Sequence, residues 1–164
     1  MSYHMHLRAV AAEDVPHGFD GLTAFMSARW DALAEECAAG IAEAVEKDFE
    51  MIDGFYATAG AGPDGAGEGA RLVVFGGEVV RDPEDEQPPF AVLSPAGTVD
   101  AAAFLDGIAF DPLWDGAGTG FRAPFAGWEE AEVKEIFRQY HTDLRAFYRS
   151  AADRRHAVVK AFWY

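Results

Sequence analysis

The sequence predicts one domain of mixed α and β structure, and three stretches carry that prediction. Tyr3 to Val10 alternates with period two, as a half-buried strand does. From Glu129 onward, Val133, Phe137, Tyr140, Leu144, Phe147 and Ala151 form one helical stripe, with Ile136 and Tyr148 at its margins. Ala157 to Tyr164, AVVKAFWY, is rich in Val and aromatics and reads as a strand too apolar for an exposed edge. It belongs inside a sheet, beside Tyr3–Val10.

Composition bounds what such a domain does. The chain has 164 residues, 50% apolar and 13% aromatic, which suits a single packed domain over 1–164 and excludes wholesale disorder. Against 13 basic residues stand 28 acidic ones, a formal charge of −15. That field repels phosphate backbones, and Arg154-Arg155 is the densest basic pair, so nucleic-acid binding is not expected. Cys37 is the only cysteine and sits in a helical pattern, as a small buried hydrophobe would. The N-terminal stretch has no apolar signal-peptide core, and no apolar run approaches the ~20 residues of a membrane span. A cytoplasmic location, with no membrane partner, is the expectation.

Taken in order, Tyr3, Met5, Leu7 and Ala9 share one face of the first strand, and His4, His6, Arg8 and Val10 the other. After a loop punctuated by Pro16, Gly18 and Gly21, Asp20 caps a helix bearing Leu22, Phe25, Met26, Trp30, Leu33 and Cys37, with a break at Gly40. Ile41, Val45, Phe49 and Ile52 predict a second helix, fading near Gly54. Gly60 to Ala70 reads as a flexible connection. Its Gly60-x-Gly62-x-x-Gly65 imitates a dinucleotide fingerprint, but it follows a helix, carries Pro63, and places Asp64 and Glu68 where a phosphate would sit. Gly76-Gly77 predicts a hairpin turn between Arg71–Phe75 and Glu78–Arg81. DPEDEQPP is a solvated loop, and Phe90–Leu93 a short strand. Ser94-Pro95 opens a helix through Leu105, with Thr98 as an alternative cap. Phe110 to Gly127 holds four glycines and reads as an ordered irregular loop over the core. The long helix begins near Glu129; about 26 residues at 1.5 Å each would span ~39 Å, enough to cross the domain.

With both ends in view, the chain resembles the YfbM-like family, a group of bacterial proteins classed as a domain of unknown function. MHLRAV resembles its opening strand, FGGEVV its Gly-Gly-Glu hairpin, and Leu93-Ser94-Pro95 its strand-to-helix junction. DLRAFYRSAADRRHAVVKAFWY is similar to its C-terminal helix and strand. Lys47-Asp48-Phe49 and Ile52 stand at its Lys-x-Trp element, with Phe49 replacing the usual Trp and Asp53 falling where His is usual. The resemblance covers nearly the whole chain. It implies an α/β fold, a mixed sheet with helices packed on its faces in a three-layer sandwich-like arrangement, with α+β as the alternative. It implies no established activity and transfers no catalytic residues.

Candidate chemistry is sparse. His4 and His6 project from one strand face with Arg8 beyond them, but no nearby residue completes a zinc set, so no metal or cofactor is expected. Asp53 and Tyr56, at i,i+3, can line a pocket against the sheet. His141 and Asp143 are two apart on a helix and face different ways. No nucleophile elbow, phosphate loop or HExxH occurs. Two functions stay open: a non-enzymatic interaction module binding a basic protein through its acidic surface, or a small-molecule hydrolase uniting His4, His6 and Asp53.

Overall fold

The computed structural model describes residues 4–60 and 67–163. Among them run five strands: β1 (His4–Val10), β2 (Ala42–Val45), β3 (Glu78–Val80), β4 (Phe90–Leu93) and β5 (Ala157–Trp163). They form one sheet in the order β2-β1-β5-β4-β3. β5 is central and pairs with β1 over its whole length, from His4 opposite Trp163 to Val10 opposite Ala157. The apolar C-terminal run therefore lies beside the N-terminal strand, as its composition demanded. Tyr3 and Tyr164 lie outside the described residues. All four pairings are antiparallel, the arrangement of the α+β alternative, within an α and β architecture that has helices on both faces.

One face carries α3 (Phe49–Gly60), α4 (Gly67–Val73), α5 (Pro95–Gly107), α6 (Phe110–Arg122) and α7 (Glu130–Asp153). Here Met5, Leu7, Leu93, Val158 and Phe162 of the sheet meet Phe55, Trp114, Phe137, Leu144 and Tyr148 of the helices. Burying each of these large side chains contributes roughly 1.5–3 kcal/mol before entropy is counted. On the other face, α1 (Gly18–Ser27) lays Leu22 and Met26 on Phe90, Val159 and Ala161, and is followed by α2 (Leu33–Ala38). The sheet is thus the middle of three layers.

α7 follows its stripe: Val133, Phe137, Leu144, Phe147, Tyr148 and Ala151 are buried, while Ile136 stays exposed. Arg155 takes a left-handed conformation (φ 56°), and the His156 N–H donates back to the Ala151 carbonyl at 2.9 Å. That turn ends the helix and feeds β5 directly.

Local expectations differ in five places. α1 begins at Gly18 behind His17 and draws no side-chain cap from Asp20; the chain then breaks near Arg29 before α2. Ala42–Val45 is a strand, because β1 offers its free edge there and pairs Met5 with Val45. Arg71–Val73 belongs to α4, so β3 forms its hairpin with β4 across the acidic loop, not across Gly76-Gly77. The Gly60–Ala70 connection is helical from Gly67; residues 61–66, with most of the glycine fingerprint, lie outside the described residues. Finally, Phe110–Arg122 is helical despite its glycines, kinked at Gly118 (φ 75°), because Phe110, Leu113 and Trp114 bury themselves in the aromatic core. Ser94 is the cap of α5: its Oγ accepts the Gly97 N–H at 3.2 Å, while the Thr98 hydroxyl donates to the Ser94 carbonyl at 3.1 Å.

α4 and α5 approach most closely at Gly69, where an added Cβ would stand 2.6 Å from the Phe104 Cβ. Alanine is the better helix former by about 1 kcal/mol, but this contact has no room for it. Gly69→Ala is expected to destabilise the domain by about 1–3 kcal/mol through overpacking, measured as a lowered urea midpoint at unchanged m-value.

Candidate functional site

The polar residues singled out in the sequence divide between the two faces of the sheet. β1 turns His4, His6 and Arg8 toward α1 and α2. His6 is fully buried, and neither of its ring nitrogens has a hydrogen-bond partner among the described residues. Burial, with help from Arg8 and His4 and against the pull of Glu36, lowers its pKa to about 4. At neutral pH it is an uncharged ring. The Trp30 indole packs over this edge, 4.9 Å from the His4 ring and 6.2 Å from that of His6.

Arg8 is a cross-layer tie. Its Nε donates to Glu36 Oε2 at 2.9 Å, its Nη2 to Oε1 at 3.2 Å, and its Nη1 to the Phe25 carbonyl at 3.0 Å. The guanidinium also lies 4.1 Å from the Phe25 ring centre. Arg29 Nε adds 2.8 Å to Glu36 Oε1. Burial pushes the Glu36 carboxyl up, but the hydrogen bonds from Arg29 and Arg8 outweigh it and hold it below the usual carboxylate range. Both arginines are satisfied by protein groups, so Arg8 joins β1 to α1 and α2 and is not free for a ligand.

Asp53 and Tyr56 lie on α3, over the opposite face. Their neighbours Phe49, Ile52 and Phe55 pack in the core that contains Met5 and Leu7, the residues alternating with His4 and His6. The sheet stands between Asp53 and the two histidines, and the proposed hydrolase pocket does not form. Period-two alternation in β1 and the packing of α3 on its far side make that separation unavoidable. Tyr56 is fully buried; its hydroxyl meets His141 Nδ1 at 3.0 Å, and burial drives its pKa far above the ordinary range. It is a core polar pair, closed to solvent. Among the described residues, no three His, Cys, Asp or Glu side chains are disposed to hold a metal ion. Cys37 is half-buried, and burial with nearby Glu43, Glu36 and Asp143 pushes its thiol up to about 11.

Sequence reading passed over Lys160, the sole charge in β5. It is fully buried, and its ammonium donates to the carbonyls of Leu72 and, at 2.8 Å, Gly76. Burial lowers its pKa to about 7, with Asp53 pulling the other way. Its signal was visible: one lysine inside an otherwise apolar strand must find buried acceptors. What it ties down is the end of α4 and the Gly76-Gly77 turn into β3, a wall of a wide cavity.

That cavity is a groove of about 930 Å³ between α4, the start of β3 and α5. Leu72, Leu93, Phe104 and Ile108 supply apolar lining, and its charged residues are Glu68, Glu78 and Asp100. All three are exposed, and none makes an ion pair among the described residues. On α5, α6 and α7 several carboxylates are answered instead: Asp106 by Arg145 and Arg149, Asp111 by Lys134 and Arg138, Glu130 by Arg122. No helix among the described residues is long and apolar enough to cross a membrane.

The helix-covered antiparallel sheet is a YfbM-like fold. The chain is similar to the crystal structure of YfbM from Escherichia coli, a protein of unknown function, at a TM-score of 0.63 over 99% of this chain and 100% of that one. The two sequences are 10% identical, so the likeness is one of fold. No protein-family profile and no curated protein matches the chain.

Two outcomes test the internal ties. Glu36→Gln leaves the Arg8 guanidinium without its buried counter-charge and is expected to cost about 3 kcal/mol of stability, read by urea unfolding. Lys160 has a folded pKa below its unfolded one, so between about pH 7 and 10.5 the unfolded chain binds more protons there. This group's burial penalty is full below pH 7 and is relieved as pH rises through that window. Stability of the wild type relative to Lys160→Met should therefore rise with pH, by at most about 1.4 kcal/mol per unit.

Proposed function

We propose that the protein is a non-enzymatic binding module that takes a cationic segment of a partner protein into the groove between α4, β3 and α5. The observation that carries this reading is the groove's charge. Its charged lining consists of Glu68, Glu78 and Asp100, while the arginines and lysine of α6 and α7 are spent on Asp106, Asp111 and Glu130. Unanswered carboxylates around an apolar floor favour a ligand with positive charge and aliphatic stems, the chemistry of lysine and arginine side chains. The overall charge of −15 adds a steering field of the same sign. The hydrolase reading loses its support once Asp53 and the histidines are separated by the sheet.

A lysine-rich peptide tests this. Its affinity should fall steeply with added salt, and Glu68→Lys, Glu78→Lys and Asp100→Lys together should weaken it by more than about tenfold at low salt. Glu13→Lys, Asp115→Lys and Glu132→Lys together, an equal change of charge at exposed positions that do not line the groove, should change it little. Equal losses in the two variants would mean that only net charge matters and would remove the groove from the proposal.

A further inference from the structure

The groove opens beside one end of the sheet, and no element among the described residues covers that end. β3 is a terminal strand, paired on one side with β4 through Glu78–Val92, Val79–Ala91 and Val80–Phe90. Glu78 and Val79 are exposed, Val79 at 52% although it is β-branched and apolar. The opposite terminal strand, β2, is treated differently. Its Ala42 and Val45 are buried, and both α2 and α7 pack against it. Soluble proteins ordinarily blunt an open strand with lysine, proline or a covering helix, because its unpaired N–H and C=O groups recruit other strands. Glu-Val-Val carries neither lysine nor proline and its one charge is acidic, so the edge, though only three residues long, repels acidic strands and not basic ones; Arg81 and Pro83 come only after the strand ends.

We propose that β3 receives an extended segment of a partner protein, bearing lysine or arginine at alternate positions, as a sixth strand of the sheet. Strand addition satisfies the free edge through main-chain hydrogen bonds, and alternate side chains of the incoming strand project to one face. On the side of α4 and α5 they meet Glu68 and Asp100, with Leu72 and Phe104 receiving the aliphatic stems, while Glu78, which shares its face with Val80 and Val92, flanks the edge on the other side. Charge selects this occupant over the others. A second copy of the chain would set Glu78 and the acidic loop Asp82, Glu84, Asp85 and Glu86 against themselves, and a nucleic acid would be repelled. Gly77 sets the start of the strand against β4: with φ 129° it lies so close to Val92 that a Cβ would stand 2.8 Å from the Val92 backbone. This inference rests on the acidic-groove reading above and adds the partner's conformation to it.

Two synthetic peptides distinguish the layers of the proposal. One alternates Lys and Val over about eight residues, a usual strand length. The second has the same sequence with its valines N-methylated, which keeps the charge and removes one edge of backbone donors. Binding to the full chain is followed at low salt by fluorescence anisotropy, and amide hydrogen exchange is followed at Glu78–Val80. The unmodified peptide is expected to bind at least about tenfold more tightly, since several main-chain hydrogen bonds separate the two, and to slow exchange in β3. Equal binding of both, with β3 exchange unchanged, would overturn strand addition and leave the acidic groove as a charge-selective site. Failure of both to bind would remove the groove reading as well.

Discussion

The fold depends on one burial constraint: β5 must be covered on both faces and paired on both edges. Val158 and Phe162 enter the large core, Val159 and Ala161 the small one, and β1 and β4 flank the strand. A strand this apolar fixes the three layers, since a helix layer on one side alone would leave half of it against water. Lys160 is the single polar exception, and its position is dictated by the same constraint. Because it cannot reach solvent, it takes the carbonyls at the end of α4, and so ties the central strand to the turn that starts β3.

The second constraint concerns how the small layer is held. α1 and α2 bury few residues against the sheet, with Leu22 and Met26 carrying most of the packing. The Arg8–Glu36–Arg29 cluster compensates with directional bonds that join a strand and two helices. The His4–His6 edge belongs to the same interface, closed by Trp30. Residues that read as a binding face in the linear sequence are here the seam between two layers.

How far the sequence revealed this follows from the physics of each stretch. The long helix, β1, β4 and β5 were legible because their periodicity runs on for several residues and agrees with local propensity. Ile41 to Ile52 was not, since apolar residues at 41, 45, 49 and 52 serve equally a short strand followed by a helix. The choice was made by the free edge of β1, distant in sequence. α6 was hidden by its glycines, yet Phe110, Leu113, Trp114 and Phe121 carry the spacing of a buried face, and tertiary packing overrode propensity. Of the site, the face shared by His4, His6 and Arg8 was legible, and the placement of Asp53 across the sheet was not. The groove lay beyond sequence reading altogether: Glu68, Glu78 and Asp100 come from three separate elements, and nothing in their spacing joins them.

The central position of β5 also bears on how the chain acquires its structure. β1 and β4 touch no common neighbour except β5, so the sheet consists of two disconnected halves until residues 157–163 arrive. During synthesis, β1 with β2 and β3 with β4 emerge long before that strand, each with an apolar edge waiting for it. β5 is the keystone, and the most non-local of the described pairings, His4 with Trp163, waits for it. A chain interrupted anywhere within α7 would retain nearly all of its helices yet have no sheet to pack them on. Until residues 157–163 are free to pair, the two half-sheets therefore expose apolar edges of the kind that chaperones shield.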